Sequence, residues 1–176
     1  MKSKKTLRSI AGYVIGGPLF LLLVPYALYE LSLIIGLNIK LTDNPDLRNI
    51  IAAIIFIIGM TFAIWSLIIM HKIGKGGPLQ GAGVEISPKT QKLIIIGPYR
   101  YTRNPMMFGS CAYYYSLAVF CNSLSYILVV TGFVIIALVY LKLSEEKRLL
   151  KDFGTEYENY RKQVSFFIPF PHKYEK

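Results

Sequence analysis

Charge is in short supply in this chain. Asp, Glu, Lys and Arg make up 17% of its residues, against about 25% in soluble globular domains, so an ordinary water-soluble domain is excluded. Histidine and cysteine are scarcer still, with two of each. His71 and His172 have no Cys or His neighbour in sequence, and the ligand spacings of a metal centre are missing. Cys111 and Cys121 share one apolar segment. Ten residues apart on a helix, they would be separated by ~15 Å, too far for a disulfide with each other, so they read as small packing residues. The glycines of GKGG at 74–77 and GAG at 81–83 follow no strand, and no Lys-Ser or Lys-Thr pair completes a P-loop spacing. A P-loop or dinucleotide-binding reading therefore fails, and those glycines serve flexibility or close backbone approach to a ligand. There is no internal repeat and no low-complexity tract.

What the chain has instead is long apolar runs. Hydrophobic residues reach 53% and the mean hydropathy is +0.44. Residues 49–70 carry no charge, over a length that exceeds the ~20 residues needed to cross a bilayer core. Residues 9–29, 104–123 and 124–141 are also uncharged. Four spans is the simplest count. The basic start (Lys2, Lys4, Lys5, Arg8) resembles a secretory signal, yet the apolar run continues to about Leu37 without a small-x-small cleavage site. A retained helix is expected. Gly16-Gly17-Pro18 and Pro25 should bend it, as membrane helices tolerate.

The basic excess follows the same topology. The net charge is +10, but its distribution argues against nucleic acid, because no basic and aromatic stripe lies on a soluble surface. With four spans and a cytoplasmic N-terminus, 18 of the 20 Lys and Arg lie on the inner side, and only Lys40 and Arg48 lie outside. This is the positive-inside pattern, with both termini cytoplasmic. Attraction to anionic lipid is a secondary consequence.

The expected fold class is all-α. It is a single polytopic membrane domain over residues 1–176, with four to five transmembrane helices, a helical hairpin at 104–143, a cytoplasmic loop and a C-terminal helix. Asn122-Ser123 forms the hairpin tip. The arms from Pro105 to the tip and from the tip to Glu145 are ~25 and ~31 Å long at 1.5 Å per residue. They return Glu145-Glu146 to the membrane depth of Asn104. Beyond the hairpin, LSEEKRLLKDFG continues as a charged helix with Gly154 as its stop, EYENYRKQV is helical in pattern, and FFIPFP is irregular.

Each chemical candidate has a structural alternative. Glu145 and Glu146 form either a solvated face paired with Lys142 or Arg148, or a ligand-holding carboxylate beside one oriented by a basic residue. Neighbours on a helix diverge by about 100°, so the two have different tasks. Arg100 and Arg103 are positive-inside anchors that snorkel to headgroups or part of a site. Tyr99 and Tyr101 fit an interfacial belt equally well. Tyr113, Tyr114 and Tyr115 read as packing, with one hydroxyl available to a site. Glu30, near the end of the first span, is a functional candidate or merely exposed.

The order of the pieces is more specific than any one of them. KLIIIGPYRYTRNPMMFG, a hydrophobic hairpin, then SEEKRLLKDFGTEYENYRKQVSFFIPF resembles the isoprenylcysteine carboxyl methyltransferase and phospholipid methyltransferase superfamily of integral membrane enzymes. The resemblance covers about residues 74–171, the expected catalytic core. It rests on a G-x-Y-x-x-x-R-[HN]-P corner, the Glu-Glu pair and F-G-x-E-Y-x-x-Y before an x-P-F ending. It implies S-adenosylmethionine bound between the cytoplasmic loop and the hairpin, by Gln91, Lys92, Leu93, Ile94, Tyr99, Asn104, Pro105, Met106, Met107 and Glu145. It also implies Arg103, Asn104 and Glu146 as catalytic residues, and Arg100 and Lys142 toward substrate. Two positions depart from the prenylcysteine members, which carry histidine at Asn104 and tyrosine at Met107. Asparagine carries no proton, so acid–base work at 104 is not expected. The substrate arginine of those members aligns near Leu141 and Lys142, and lysine lacks its planar fork.

The expected activity is S-adenosylmethionine-dependent methylation of a lipid-like or lipidated acceptor, with isoprenylcysteine-type carboxyl O-methylation first. The alternative is N-methylation of a phosphatidylethanolamine-like headgroup. The non-enzyme alternative is a small transporter or channel subunit, against which polar groups gather at one interface instead of at mid-membrane. Expected partners are the bilayer and a lipid-like or prenylated substrate, with no nucleic acid and no metal.

Overall fold

Prolines open two of the long helices. In the computed structural model, which describes residues 12, 14–74, 80, 81, 84, 85 and 92–170, Pro45 starts helix α2 (Pro45–Ile69) and Pro105 starts α3 (Pro105–Phe120). A first-turn proline gives up an N–H that has no partner within the helix anyway. Asn44 caps α2 by accepting the N–H groups of Asp46 and Leu47, both at 3.0 Å. Ahead of it, α1 runs Val14–Ile35 and ends at Gly36, whose φ of 68° suits a residue without a Cβ. After the hairpin tip comes α4 (Leu124–Tyr140), which passes through a π turn, Leu141–Glu145, into α5 (Glu146–Gln163). The only strands among the described residues are Gln80–Gly81 and Val84–Glu85, paired antiparallel.

Among the described residues, three helical runs are long and apolar enough to cross a membrane: Val14–Ile35, Pro45–Gly74 and the apolar part of Leu124–Gln163. The third predicted span, α3, has 16 residues and is ~24 Å long. The expected four to five transmembrane helices thus become three of full length and one shorter helix packed between them. Gly59 and Gly109 explain why α3 lies so close to α2. A Cβ on Gly109 would fall 2.6 Å from both the Ala63 nitrogen and the Gly59 oxygen. Small residues at helix contacts in lipid allow this approach. Beside them, Phe62 and Phe108 stack edge to face at 5.1 Å.

The two prolines in α1 shape their neighbours. Pro18 precedes a π turn over Leu19–Leu23, and Pro25 has no N–H to give the turn before it. In lipid a freed carbonyl finds no water. Tyr113 and Tyr114 donate to the carbonyls of Leu21 and Phe20, each at 2.9 Å, and Tyr126 donates to the Pro25 carbonyl at 2.7 Å. Tyr115 meets Thr131 at 2.9 Å. The hydroxyl expected to be available to a site is therefore occupied in all three of Tyr113, Tyr114 and Tyr115. Tyr114, Tyr126, Cys111, Ala118 and Val130 lie in the core that joins α1, α3 and α4. Cys111 is buried there, whereas Cys121 is exposed. Tyr114→Phe should cost about 1–2 kcal/mol by leaving a buried carbonyl short of a donor. The same substitution in a Pro25→Ala background should cost less, and paired thermal melts would show the difference.

The two ends of the bundle are tied differently. At one end Asn122, in left-handed backbone at φ 53°, accepts from the Leu41 and Thr42 nitrogens and donates to the Thr42 carbonyl at 2.8 Å. Lys40 and Arg48 lie at this end, and Arg48 sits over the Phe120 ring. The other end holds the 97–104 turn, α5 and the chain to Phe170. Gly154, expected as a helix stop, is a kink within α5, with φ 51° and ψ −126°. The helix resumes after it and buries Tyr157 and Tyr160 with Val164, packed by Leu93, Ile95, Leu149 and Phe153.

Candidate functional site

The site starts from a short turn that the sequence fills with hydrogen-bonding side chains. Gly97–Arg100 forms a 3₁₀ turn that begins at Gly97, φ 62°, where a Cβ would crowd Ile69 at 3.1 Å and Trp65 at 3.2 Å. Thr102 is wholly buried and donates to the Phe167 carbonyl at 2.8 Å. Arg103 follows, and its backbone N–H donates to the Ser165 carbonyl at 2.8 Å. The Asn104 side chain donates to the Phe166 carbonyl at 2.9 Å.

The guanidinium of Arg103 is the electrostatic centre. Its Nη1 forms an ion pair with Glu146 Oε1, and the two side chains are only 10% and 11% exposed. Tyr157 donates to the same Glu146 oxygen at 3.2 Å, with its hydroxyl 3.4 Å from Arg103 Nη1. The Phe166 ring lies under the guanidinium, 5.4 Å from its carbon to the ring centroid. Arg103 Nε is buried without a hydrogen-bond partner among the described residues. Burial and the facing Glu146 charge push the Tyr157 phenol up to about 12, so it stays a proton donor to Glu146.

Glu145 turns elsewhere, as a 100° step between helix neighbours requires. It pairs with Arg148 one turn on, Nη2 to Oε2 at 2.5 Å, with 15% of its side chain exposed. Burial raises its carboxyl above the ordinary range, while Arg148 pulls it back. Of the alternatives read from the sequence, the neighbouring pair is Glu145–Arg148. Glu146 ignores Lys142 and reaches across to Arg103.

Residues 47–156 match the family model described as phospholipid methyltransferase, more than half of the 176-residue chain. The chain belongs to the phospholipid methyltransferase family. It is similar to the methanethiol S-methyltransferase of Mycobacterium tuberculosis, 31% identical over 77 residues that cover 43% of this chain and 30% of the relative. It is also similar to methanethiol S-methyltransferase 2 of Bradyrhizobium diazoefficiens, 30% identical over 88 residues that cover 49% of this chain and 32% of the relative. The matched segment thus spans about a third of the length of those relatives. No solved structure matches the chain.

Within this family member the predicted site residues divide into groups. Arg103, Asn104 and Glu146 share one hydrogen-bonded frame with residues 157–167. Tyr99 joins it through its carbonyl, which accepts the Tyr160 hydroxyl at 2.6 Å. Leu93 packs on the Tyr157 and Tyr160 rings, Ile94 is buried and Lys92 is exposed. Gln91 lies outside the described residues. Pro105 is buried and Met106 half-buried, and Met107 packs against the bundle core near Tyr114. Arg100 and Lys142 are both exposed and lie outside the frame's hydrogen bonds. Reading residue by residue misses Thr102, Tyr157, Tyr160 and Phe166 as members of this frame. The signal that finds Tyr157 and Tyr160 is their spacing, i and i+3, which sets both on one helical face.

Proposed function

We propose that this protein transfers a methyl group from S-adenosylmethionine to a lipid-like acceptor that presents an anionic nucleophile, an isoprenylcysteine-type carboxylate first. The donor is a sulfonium zwitterion with an aromatic base. The half-buried Glu145 carboxylate suits its ammonium, and the partly buried Leu93 side chain suits its base. Lys92, Leu93, Ile94, Tyr99 and the 104–107 corner would hold it from the sides, as family resemblance implies. When bound, it supplies an electrophilic methyl carbon and a thioether leaving group. The chain's own work is then orientation, which alone can supply a large part of the rate. The corner turn would set donor and acceptor in line, and Arg103 holds Glu146 in place.

One observation carries the choice of an anionic acceptor: the proton-accepting groups of the corner are engaged. Glu146 accepts from Arg103 and Tyr157, Glu145 accepts from Arg148, and Asn104 carries no titrating proton. An ammonium with a pKa of about 10 would have to lose its proton before it attacks, and both carboxylates of the corner already accept from other side chains. A carboxylate needs no such step. A thiol, with a pKa of about 8.5 or above, must also ionise before it attacks, and the names of the methanethiol S-methyltransferases above make it the second reading. The family description names phospholipid, and an aminolipid acceptor is the third arm of the test.

Labelled donor supplied with prenylcysteine, methanethiol and phosphatidylethanolamine separates the three. Label on the aminolipid alone would overturn the proposal. With a carboxylate acceptor the rate should stay flat from about pH 6 to 8, whereas transfer to an amine should rise about tenfold per unit as the ammonium deprotonates. Glu145→Ala should weaken binding of the donor about tenfold or more, the scale of one lost charge-assisted contact, as titration calorimetry on detergent-solubilised protein would measure.

A further inference from the structure

The chain after α5 crosses back over the corner turn, and its contacts are unusually specific for an irregular segment. Arg103 N donates to the Ser165 carbonyl at 2.8 Å and Phe170 N donates to the Tyr101 carbonyl at 3.1 Å. Thr102 Oγ1 donates to the Phe167 carbonyl at 2.8 Å and lies 3.3 Å from that of Phe166. The Phe167 ring meets Phe108 edge to face at 5.8 Å, and the Phe166 ring lies under the Arg103 guanidinium. Asn104, like Thr102 and Arg103, is tied at both backbone and side chain. Its nitrogen donates to Thr102 Oγ1 at 3.2 Å, and its side-chain amide donates to the Phe166 carbonyl at 2.9 Å.

We infer that Asn104 is a positioning residue: through the Phe166 carbonyl it locks the Ser165–Phe170 strap across the corner, and the strap holds Arg103 against Glu146. This deepens the methyl-transfer reading and rests on it for its catalytic consequence. For this role the side-chain N–H donor is what matters, and no proton transfer is required of it. That accounts for asparagine at this position. An imidazole N–H can make the same bond to a carbonyl, whereas a carboxylate at 104 would face the carbonyl oxygen with like charge.

The test uses the full chain in nanodiscs, with Asn104→Asp, Asn104→His and Phe166→Ala. Asn104→Asp should lower kcat/KM by about 10- to 100-fold, the cost of a small misplacement at a reacting site, mainly through kcat. Asn104→His should restore it to within a few fold, with no new pH dependence. Asn104→Asp and Phe166→Ala combined should be no worse than the more damaging single change, since both release the same strap. Amide exchange supplies a readout independent of activity. The Arg103 and Phe170 amides should exchange about tenfold faster or more in Asn104→Asp, while the amides of α2 keep their protection. Unchanged exchange at those two amides overturns the strap, and additive losses in the double variant overturn the coupling. If the wild type transfers no methyl group, the functional reading fails, and the exchange result still decides whether Asn104 locks the strap.

Discussion

Glu146→Gln should destabilise the protein by about 3 kcal/mol and abolish methyl transfer. The arithmetic follows from burial. Arg103 and Glu146 are 10% and 11% exposed, so neither charge regains water when its partner is lost. Breaking a buried ion pair from one side costs about 3–5 kcal/mol, because an unpaired charge remains inside. Glutamine keeps the shape and an acceptor oxygen, which places the loss at the low end of that range. Arg103→Met should cost about the same, and it also removes the cation over the Phe166 ring. The double variant Arg103→Met, Glu146→Gln should be more stable than either single one, since no charge is then stranded. Thermal melts of the four proteins in one detergent would measure this. Losses that add in the double variant would show that the two side chains act separately.

Gly109→Val should have the largest effect of any single substitution in the bundle. A Cβ there would lie 2.6 Å from the Ala63 nitrogen and from the Gly59 oxygen, and 2.9 Å from the Ala63 Cβ. Two of those atoms are backbone, so no side chain can swing aside. The helices must part, and overpacking of this kind costs about 1–3 kcal/mol or more. Here it would also open the Phe62–Phe108 contact and move the 105 end of α3, from which the corner turn departs. The variant should fail to yield monodisperse protein. Gly132 supplies the control, since nothing lies within 4 Å of a Cβ built on it. Gly132→Ala should be neutral or stabilising by up to about 1 kcal/mol through helix propensity. Size-exclusion profiles of the two variants would differ sharply.

Local signals located much of this molecule before any coordinates. Pro105 marked a helix start because a missing N–H is harmless in a first turn, whereas α2 begins at Pro45, about one turn before the uncharged run at 49, and the helix kinks at Gly154 instead of stopping there. The hairpin lengths brought the Glu pair back to the depth of Asn104. The partner of each carboxylate was less legible. Glu145 found a partner within one helical turn, which sequence spacing anticipates. Glu146 reaches Arg103 forty-three positions away, and no local rule favours that over Lys142. The tyrosines of α3 were harder still, because their hydroxyls answer a proline on another helix.

The division between sequence and tertiary structure follows from the range of the forces. Sparse charge and uncharged runs determined that this is a membrane chain of helices, because the bilayer penalises each charge and each unpaired backbone group locally. Motif order determined the family resemblance. Which charge is stranded without which partner, which carbonyl the Asn104 amide meets, and how closely α2 and α3 approach were decided only by the fold. Those contacts join residues tens of positions apart, and their energies exist only when packing has already excluded water around them.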